Sequence, residues 1–516
     1  MKILNTTQIR EADSFTIANE PISSIDLMER AATRCVDFIR DQFDMFSEIA
    51  VVAGPGNNGG DGLVIARQLS LMGKNITVFI LNVGIPFSQD FQINLERLQN
   101  QTKVSVVELQ PNYEIPDFQN FEIVIDAIFG SGLNRSVTGF IAELITKINH
   151  SGSFVIAVDI PSGMFADQPV EEKNPAIIQA NLTLSLQFPK LMMLLPEMAV
   201  YIGELQVIDI GLHPAFIQQI KPEAVLLEDF IVCGLLRRRS KFDHKGIFDH
   251  ALLIAGSRTK SGAAIMSAQA CLRAGAGLLT VHAPDAVISP LRSVLPEAMF
   301  SLDADSEHFS QLPEIEIYNS IAIGPGLGKS HETASAFKLL IQQTTIPLVI
   351  DADALNILSE NPTWLAFLPE GSILTPHIGE FDRLVGKSEH CFQRIQKQKE
   401  LSKKFGIYLI LKGAHTSISC PDGTLYFNNT GNPGMATGGA GDVLTGILSG
   451  LLAQGYSSHD AAVLGVYLHG LAGDIALNHQ SEESLIATDI IGHLGEAFNY
   501  LHETGKDIFG FKSLLK

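Results

Sequence analysis

Two glycine-rich loops, each set between an apolar run and a helical pattern, constrain this chain more than any other feature. AVVAGPGNNGGDG occupies Ala50–Gly62 and NPGMATGGAGDVL occupies Asn432–Leu444. Successive small residues let backbone N–H groups close around an anion, and a helix N-terminus adds free amides and partial positive charge. Two such loops predict two α/β halves, each with a nucleotide-type site. Their polar residues differ, which predicts a different chemistry in each half.

At 516 residues the chain is too long for one core, and length alone suggests domains of about 150 residues. Hydrophobic residues at 46% and charged residues at 18% mark a globular protein rather than a disordered one. No apolar stretch is long enough for a membrane span. The opening MKILNTTQIREADSF lacks the apolar core of a secretory signal, so a cytoplasmic protein is expected. Cys35, Cys233, Cys271, Cys391 and Cys420 are scattered without CxxC spacing. They read as small buried hydrophobes in a reducing compartment, not as a zinc or disulfide framework. A net charge of -20 argues against nucleic-acid binding. A phosphorylated small ligand is still permitted, because a distant negative field is screened within about 10 Å.

Met28, Ala31, Ala32, Cys35, Val36 and Ile39 follow helical spacing behind a Ser23 or Ser24 cap. Continuous apolar runs follow at 49–53, 76–81, 121–127 and 154–158, the pattern of a parallel sheet covered on both faces. Three polar loops, 54–62, 126–136 and 159–163, fall at the C-terminal ends of these runs, where open α/β sheets bind ligands. A second series of strands is predicted at 251–255, 278–282, 320–323, 348–350, 373–374 and 408–411. A hairpin of 416–420 and 424–427 follows, turned by Pro421-Asp422-Gly423. The link at 211–228 shows proline punctuation and no strong period. Two domains are therefore expected, covering residues 1–215 and 226–516.

In GPGNNGGDG the glycines permit close backbone approach and Asn57, Asn58 and Asp61 add polar atoms. The spacing departs from the dinucleotide fingerprint, and no acidic residue follows the second strand to clamp a ribose, which disfavours hydride transfer. GPGNNGGDGLVIAR, then DAIFGSGLNRSVTG and then VDIPSG resemble the NAD(P)H-hydrate epimerase domain, with a Rossmann-like three-layer sandwich fold. The resemblance implies that Asn57, Asn58, Gly59, Gly60 and Asp61 bind the hydrate together with Gly130, Ser131, Gly132, Leu133, Asn134, Arg135 and Ser136. It also implies a potassium site of Asn58, Asp126 and Ser162, with Asp159 at the nicotinamide end. The chemistry agrees: hard oxygen donors suit an alkali or alkaline-earth ion, and a strand-end carboxylate can act as general acid or base.

Near the C-terminus, Thr437-Gly438-Gly439-Ala440-Gly441-Asp442 opens a helix whose apolar positions are Leu444, Ile447, Leu448, Leu451 and Leu452. Its amides face a transferring phosphoryl group, and Asp442 is placed to accept a proton from a substrate hydroxyl. This GAGD loop resembles the ribokinase-like α/β fold. KFDHKGIFDHALLIAGS, IGPGLG, DADALN, LTPHIGEFDRL and LKGAHT narrow the resemblance to the ADP-dependent NAD(P)H-hydrate dehydratase branch. Implied substrate contacts are Ala263, Gly326, Gly328, His377 and Asp442. Implied nucleotide contacts are Lys412, Gly413, Ala414, His415, Thr416 and Gly441.

The family has Pro where this chain has Ile378, so the ring that would hold His377 in place is missing. Glu380 is expected to organise magnesium through water. The resemblance implies repair of hydrated NADH and NADPH: epimerisation of the R and S forms, then dehydration of the S form with ADP as phosphoryl donor, Mg2+ at the dehydratase site and K+ at the epimerase site. A homo-oligomer is expected. The competing readings are a small-molecule kinase with an N-terminal ligand-binding domain, and a non-enzymatic binding module.

Overall fold

A computed structural model describes residues 1–43, 48–171, 174–244 and 248–508. Positions 245–247 of the KFDHKGIFDHALLIAGS stretch lie outside the described residues. The chain divides into two compact units, Lys2–Ala224 and Val225 onward.

The first unit is built on seven parallel strands in the spatial order Ser105–Leu109, Asn75–Leu81, Glu48–Ala53, Ile123–Ala127, Phe154–Val158, Leu182–Leu186, Glu204–Ile208. Alternation along Glu48–Ala53 explains its continuous apolar sequence. Ile49, Val51 and Ala53 enter one core with the helices Ser24–Phe43 and Asn57–Leu71, while Ala50 and Val52 enter another with Phe140–Asn149. Strand order reverses between Glu48–Ala53 and Ile123–Ala127, and the loops leaving both strands meet at that switch point.

The second unit orders its strands Met299–Leu302, Leu278–Ala283, His250–Ile254, Ser320–Ile323, Leu348–Ile350, Ile373–Leu374, Tyr408–Leu411, Ser417–Ser419, Leu425–Phe427, Ala224–Leu226. The pairs are parallel up to Tyr408–Leu411 and antiparallel through the expected hairpin. Both units are α/β with parallel sheets, the fold class the sequence predicts.

Four sequence expectations need correction. The helix behind Ser23 is the second; Thr6–Asn19 precedes it, started by a reciprocal Asn5–Gln8 capping box. The link at 211–228 contains the helix Pro214–Gln219 and the strand Ala224–Leu226. Five further strands, Lys2–Ile3, Ser105–Leu109, Leu182–Leu186, Glu204–Ile208 and Met299–Leu302, were not expected; Leu182–Leu186 is buried, whereas most residues of Ser105–Leu109, Glu204–Ile208 and Met299–Leu302 are half-buried or exposed, which weakens the apolar signal. Helix Ala440–Ala453 is buried all round rather than on one face. No described helix is long and apolar enough to cross a membrane. All five cysteines are buried, and none forms a disulfide among the described residues.

Candidate active sites

In the first unit, Gly54 leaves its strand so close to the next loop that a Cβ there would stand 1.9 Å from the Ile128 carbonyl oxygen. Only glycine permits that approach, and it brings the loops after two neighbouring strands together. Gly130 in turn lies against both Asn58 and the Asp159 carboxylate, so 54–62, 126–136 and 159–163 form one site. Asp159 has φ +69°, a left-handed conformation that Asp tolerates better than most residues and that commonly marks functional positions. Its Oδ2 accepts the Ser131 N–H at 3.1 Å, and its Oδ1 is held by the Lys190 ammonium. Burial pushes the Asp159 carboxyl up, but Lys190 and the Ser131 amide outweigh it and hold the group below its ordinary range.

Lys190 was not expected. It is fully buried, and its remaining partner is Ser185 Oγ at 3.0 Å. The available signal was a lone lysine inside the apolar run LSLQFPKLMMLL, a context that normally requires a counter-ion. Asp61 lies inside the same unit, its carboxyl raised by burial and then by the charges of Asp159 and Asp13. Leu133 N–H closes back on the Gly130 carbonyl at 3.3 Å. Asn57, Gly132, Asn134 and Arg135 are exposed and Ser136 is half-buried. Gly59 and Gly60 are buried in the first turns of Asn57–Leu71.

Of the three expected potassium ligands, the structure joins two directly: Ser162 Oγ donates to Asp126 Oδ1 at 2.6 Å. Asp126 also accepts the Ser162 and Ile128 amides at 2.8 and 3.2 Å. It is fully buried, no cationic side chain pairs with it among the described residues, and burial raises its carboxyl to about 6 despite those bonds. Asn58 Nδ2 is buried without a partner. The buried Asp126 carboxylate beside the Ser162 hydroxyl oxygen suits a weakly hydrated cation as missing counter-charge, whereas the unpartnered Asn58 Nδ2 is a donor and could not itself ligate one.

In the second unit, Gly439 adopts φ +95° to start Ala440–Ala453, whose amino end opens on a cavity of about 770 Å³. Asp442, Gly441, Lys412, Gly413, Ala414, Thr416 and His377 line it. Lys412 Nζ donates to Asp351 Oδ1 at 2.9 Å and lies 3.1 Å from where a Cβ on Gly441 would stand. Thr445 Oγ1 donates to Asp351 Oδ2 at 2.8 Å. Burial, and then the Asp351 charge, raise the Asp442 carboxyl to about 7, with Lys412 opposing. His469 donates through Nε2 to the Ala440 carbonyl at 2.9 Å, and burial lowers its pKa to about 4. Asp351 and Asp353 lie in the DADALN motif, to which the sequence reading gave no individual roles.

Ala263 and Gly326 touch, Gly328 N–H donates to Asp353 Oδ2 at 2.8 Å, and Lys260 pairs with the same oxygen. This group does not line the 770 Å³ cavity, although Asp353 and Lys260 both act on the Asp442 charge. His415 also turns away, its Nδ1 paired with the Asn428 carbonyl at 3.1 Å. His377 needs no proline after it. Its Nδ1 accepts the Gly379 N–H at 2.9 Å while Glu380 Oε2 accepts the His377 N–H at 2.9 Å, a reciprocal cap that fixes the helix Ile378–Val385. Glu380 is thereby committed to the cap and does not line the cavity.

Two α/β units, each with a glycine-rich loop at a helix N-terminus and a buried carboxyl of shifted titration, fit an enzyme with two sites. Residues 24–192 match the YjeF-related protein N-terminus and 251–494 match NAD(P)H-hydrate dehydratase. The Moorella thermoacetica bifunctional NAD(P)H-hydrate repair enzyme is 35% identical, covering 98% of each chain. The Coxiella burnetii enzyme of the same name is 37% identical over 94% of this chain and 97% of its own. A Bacillus subtilis ADP/ATP-dependent NAD(P)H-hydrate dehydratase structure, co-crystallised with ATP/Mg2+, is 32% identical, with a TM-score of 0.48 over 54% of this chain and 99% of its own. The chain belongs to the family of bifunctional NAD(P)H-hydrate repair enzymes.

Proposed function

We propose that this chain repairs hydrated NADH and NADPH, its first unit interconverting the R and S forms and its second dehydrating the S form with ADP, giving AMP and phosphate. The observation that carries the reading is Asp442, a carboxyl raised to about 7 at the head of a buried helix, over a cavity that also holds Lys412. A base with a pKa near the working pH combines availability with proton-accepting strength. Asp442 takes the proton of the C6 hydroxyl as that oxygen attacks the terminal phosphorus of ADP. The amides of Gly439–Gly441 face the phosphoryl oxygens and the Lys412 ammonium adds positive charge. Phosphate then leaves C6 far more readily than hydroxide, and loss of the C5 proton restores the dihydronicotinamide. Magnesium, when bound, would neutralise charge on the nucleotide phosphates; Asp351, which lines the cavity, is the carboxylate that would help hold it.

In the first unit Asp159 faces the nicotinamide end and serves as a base. Asn58, Asp126 and Ser162 hold potassium, which supplies the positive charge the buried Asp126 otherwise lacks. The test is recovery of dihydronicotinamide absorbance from mixed R and S hydrate with ADP, Mg2+ and K+. Full recovery is expected. A stable phosphorylated product would instead make the second unit a kinase, and no turnover with ADP or ATP would overturn the repair reading.

A further inference from the structure

The helix Thr6–Asn19 precedes the 24–192 match, yet it is firmly seated beside the epimerase site. Thr6 N–H and Oγ1 donate to Asp167 Oδ2 at 3.0 and 2.5 Å, Thr16 Oγ1 accepts the His213 N–H at 3.0 Å, and Ala12 and Thr16 are buried. Arg10 Nη2 reaches to 3.0 Å from where a Cβ on Gly132 would stand, so this helix overlies the 130–136 loop. Asp13, three residues on and therefore on the same face, is half-buried, and no hydrogen bond of its carboxyl is found among the described residues. Its carboxyl lies within electrostatic reach of Asp159, Lys190 and Asp61.

Lys190 and the Ser131 amide favour the ionised form of Asp159 in the resting site, so Asp159 does not hold a proton ready for the departing hydroxyl. Inverting C6 needs both roles. A proton must reach the departing hydroxyl, and another must leave the water that adds to the opposite face. We propose that Asp13 is the general acid of the epimerisation, paired with Asp159 as general base, an inference that rests on the epimerase reading of this unit.

Asp13 protonates the C6 hydroxyl as the C6–O bond breaks, releasing water while the N1 lone pair forms an N1=C6 iminium. Water adds to the other face and gives its proton to Asp159. Transfer of that proton back to Asp13 restores the site, with no redox change and no net proton. Burial, with Asp159 adding and Lys190 opposing, raises the Asp13 carboxyl to about 6, whereas Asp159 is lowered. Two carboxyls driven apart by their surroundings divide acid from base. The other titratable groups facing this cluster are Asp61 on Asn57–Leu71, Cys35 on Ser24–Phe43, and His213, whose ring packs on Phe15 beside Pro214–Gln219.

The experiment uses the full chain with Asp442→Asn, so that pure S hydrate can only epimerise, and follows appearance of the R form against pH. Without further change, kcat should fall as pH rises through about 6, as Asp13 loses its proton. Adding Asp13→Asn should lower kcat by about 10²–10⁴-fold, leave KM within a few-fold, and abolish that limb. Asp13→Glu should recover part of the rate with the limb at a shifted midpoint. Should the Asn variant fail to fold, the Glu variant decides alone. A limb unmoved in Glu, a limb retained in Asn, or a near-normal rate in Asn overturns the assignment. If the chain with Asp13 intact forms no R hydrate, the epimerase reading fails first and takes this inference with it.

Discussion

Asp442→Asn should cost the dehydratase most of its rate while making the second unit more stable. Asp442 has an ordinary carboxyl value of 3.8, raised in the fold to about 7 by burial and the Asp351 charge. A native state that holds its proton more tightly than the unfolded chain loses stability as pH rises between those two values, and the loss is complete above the upper one. A shift of about three units corresponds to a ceiling of about 4 kcal/mol, of which partial solvent access leaves about 1–2. Asparagine keeps the shape and removes the charge. At pH 8 it should raise Tm by roughly 2–8 °C, at about 2–4 °C per kcal/mol for a domain of this size. At pH 4 the difference should vanish. The same change should lower kcat for dehydration by about 10²–10⁴-fold, and it should remove the about tenfold-per-unit fall in rate below the Asp442 pKa. Calorimetry at the two pH values and the absorbance assay read these outcomes. A variant less stable at pH 8, or one that keeps the acid limb, would refute the account of Asp442 as a strained base.

Asp159→Asn should stop epimerisation and, by leaving Lys190 buried without its partner, should cost about 3–5 kcal/mol. Adding Lys190→Met should return most of that stability but no activity, as denaturant unfolding of both variants can check. Replacing KCl with tetramethylammonium chloride should lower both the epimerase rate and the Tm of the first unit; Asp126→Ala should abolish the Tm response, since a ligand stabilises only where it binds. A Cβ on Gly446 would stand 2.1 Å from the Ser267 carbonyl oxygen, so Gly446→Ala should push Ala440–Ala453 off Ser261–Arg273. The expected result is a loss of about 1–3 kcal/mol and a weaker dehydratase, measured by urea unfolding and turnover.

Much of the site was legible because its chemistry is local in sequence. Gly54–Asp61 and Gly438–Asp442 each contain a helix start, its free amides and a polar group within a few residues, so reading along the chain finds them. Asp159 and Asp442 stand out as acids at loop-to-helix or loop-to-strand edges. The helix Thr6–Asn19 escaped because only Ala12 and Thr16 are buried along it, leaving no apolar stripe despite the Asn5–Gln8 cap. The roles expected for Ile378 and Glu380 also changed, since the His377–Glu380 cap replaces the rigidity of the absent proline.

The sequence by itself determined two α/β units, their central parallel strands and two glycine-rich loops at helix starts, because hydrophobic periodicity and glycine placement act over a few residues. Only the tertiary structure decided which distant groups complete each site. Lys190 meets Asp159 across 31 positions, Lys412 meets Asp351 across 61, and Arg10 lies against Gly132, more than a hundred residues away. Burial and neighbouring charge then split the carboxyls, lowering Asp159 and raising Asp13, Asp126 and Asp442. Desolvation and Coulomb energy depend on distances in the fold, which spacing along the chain does not encode.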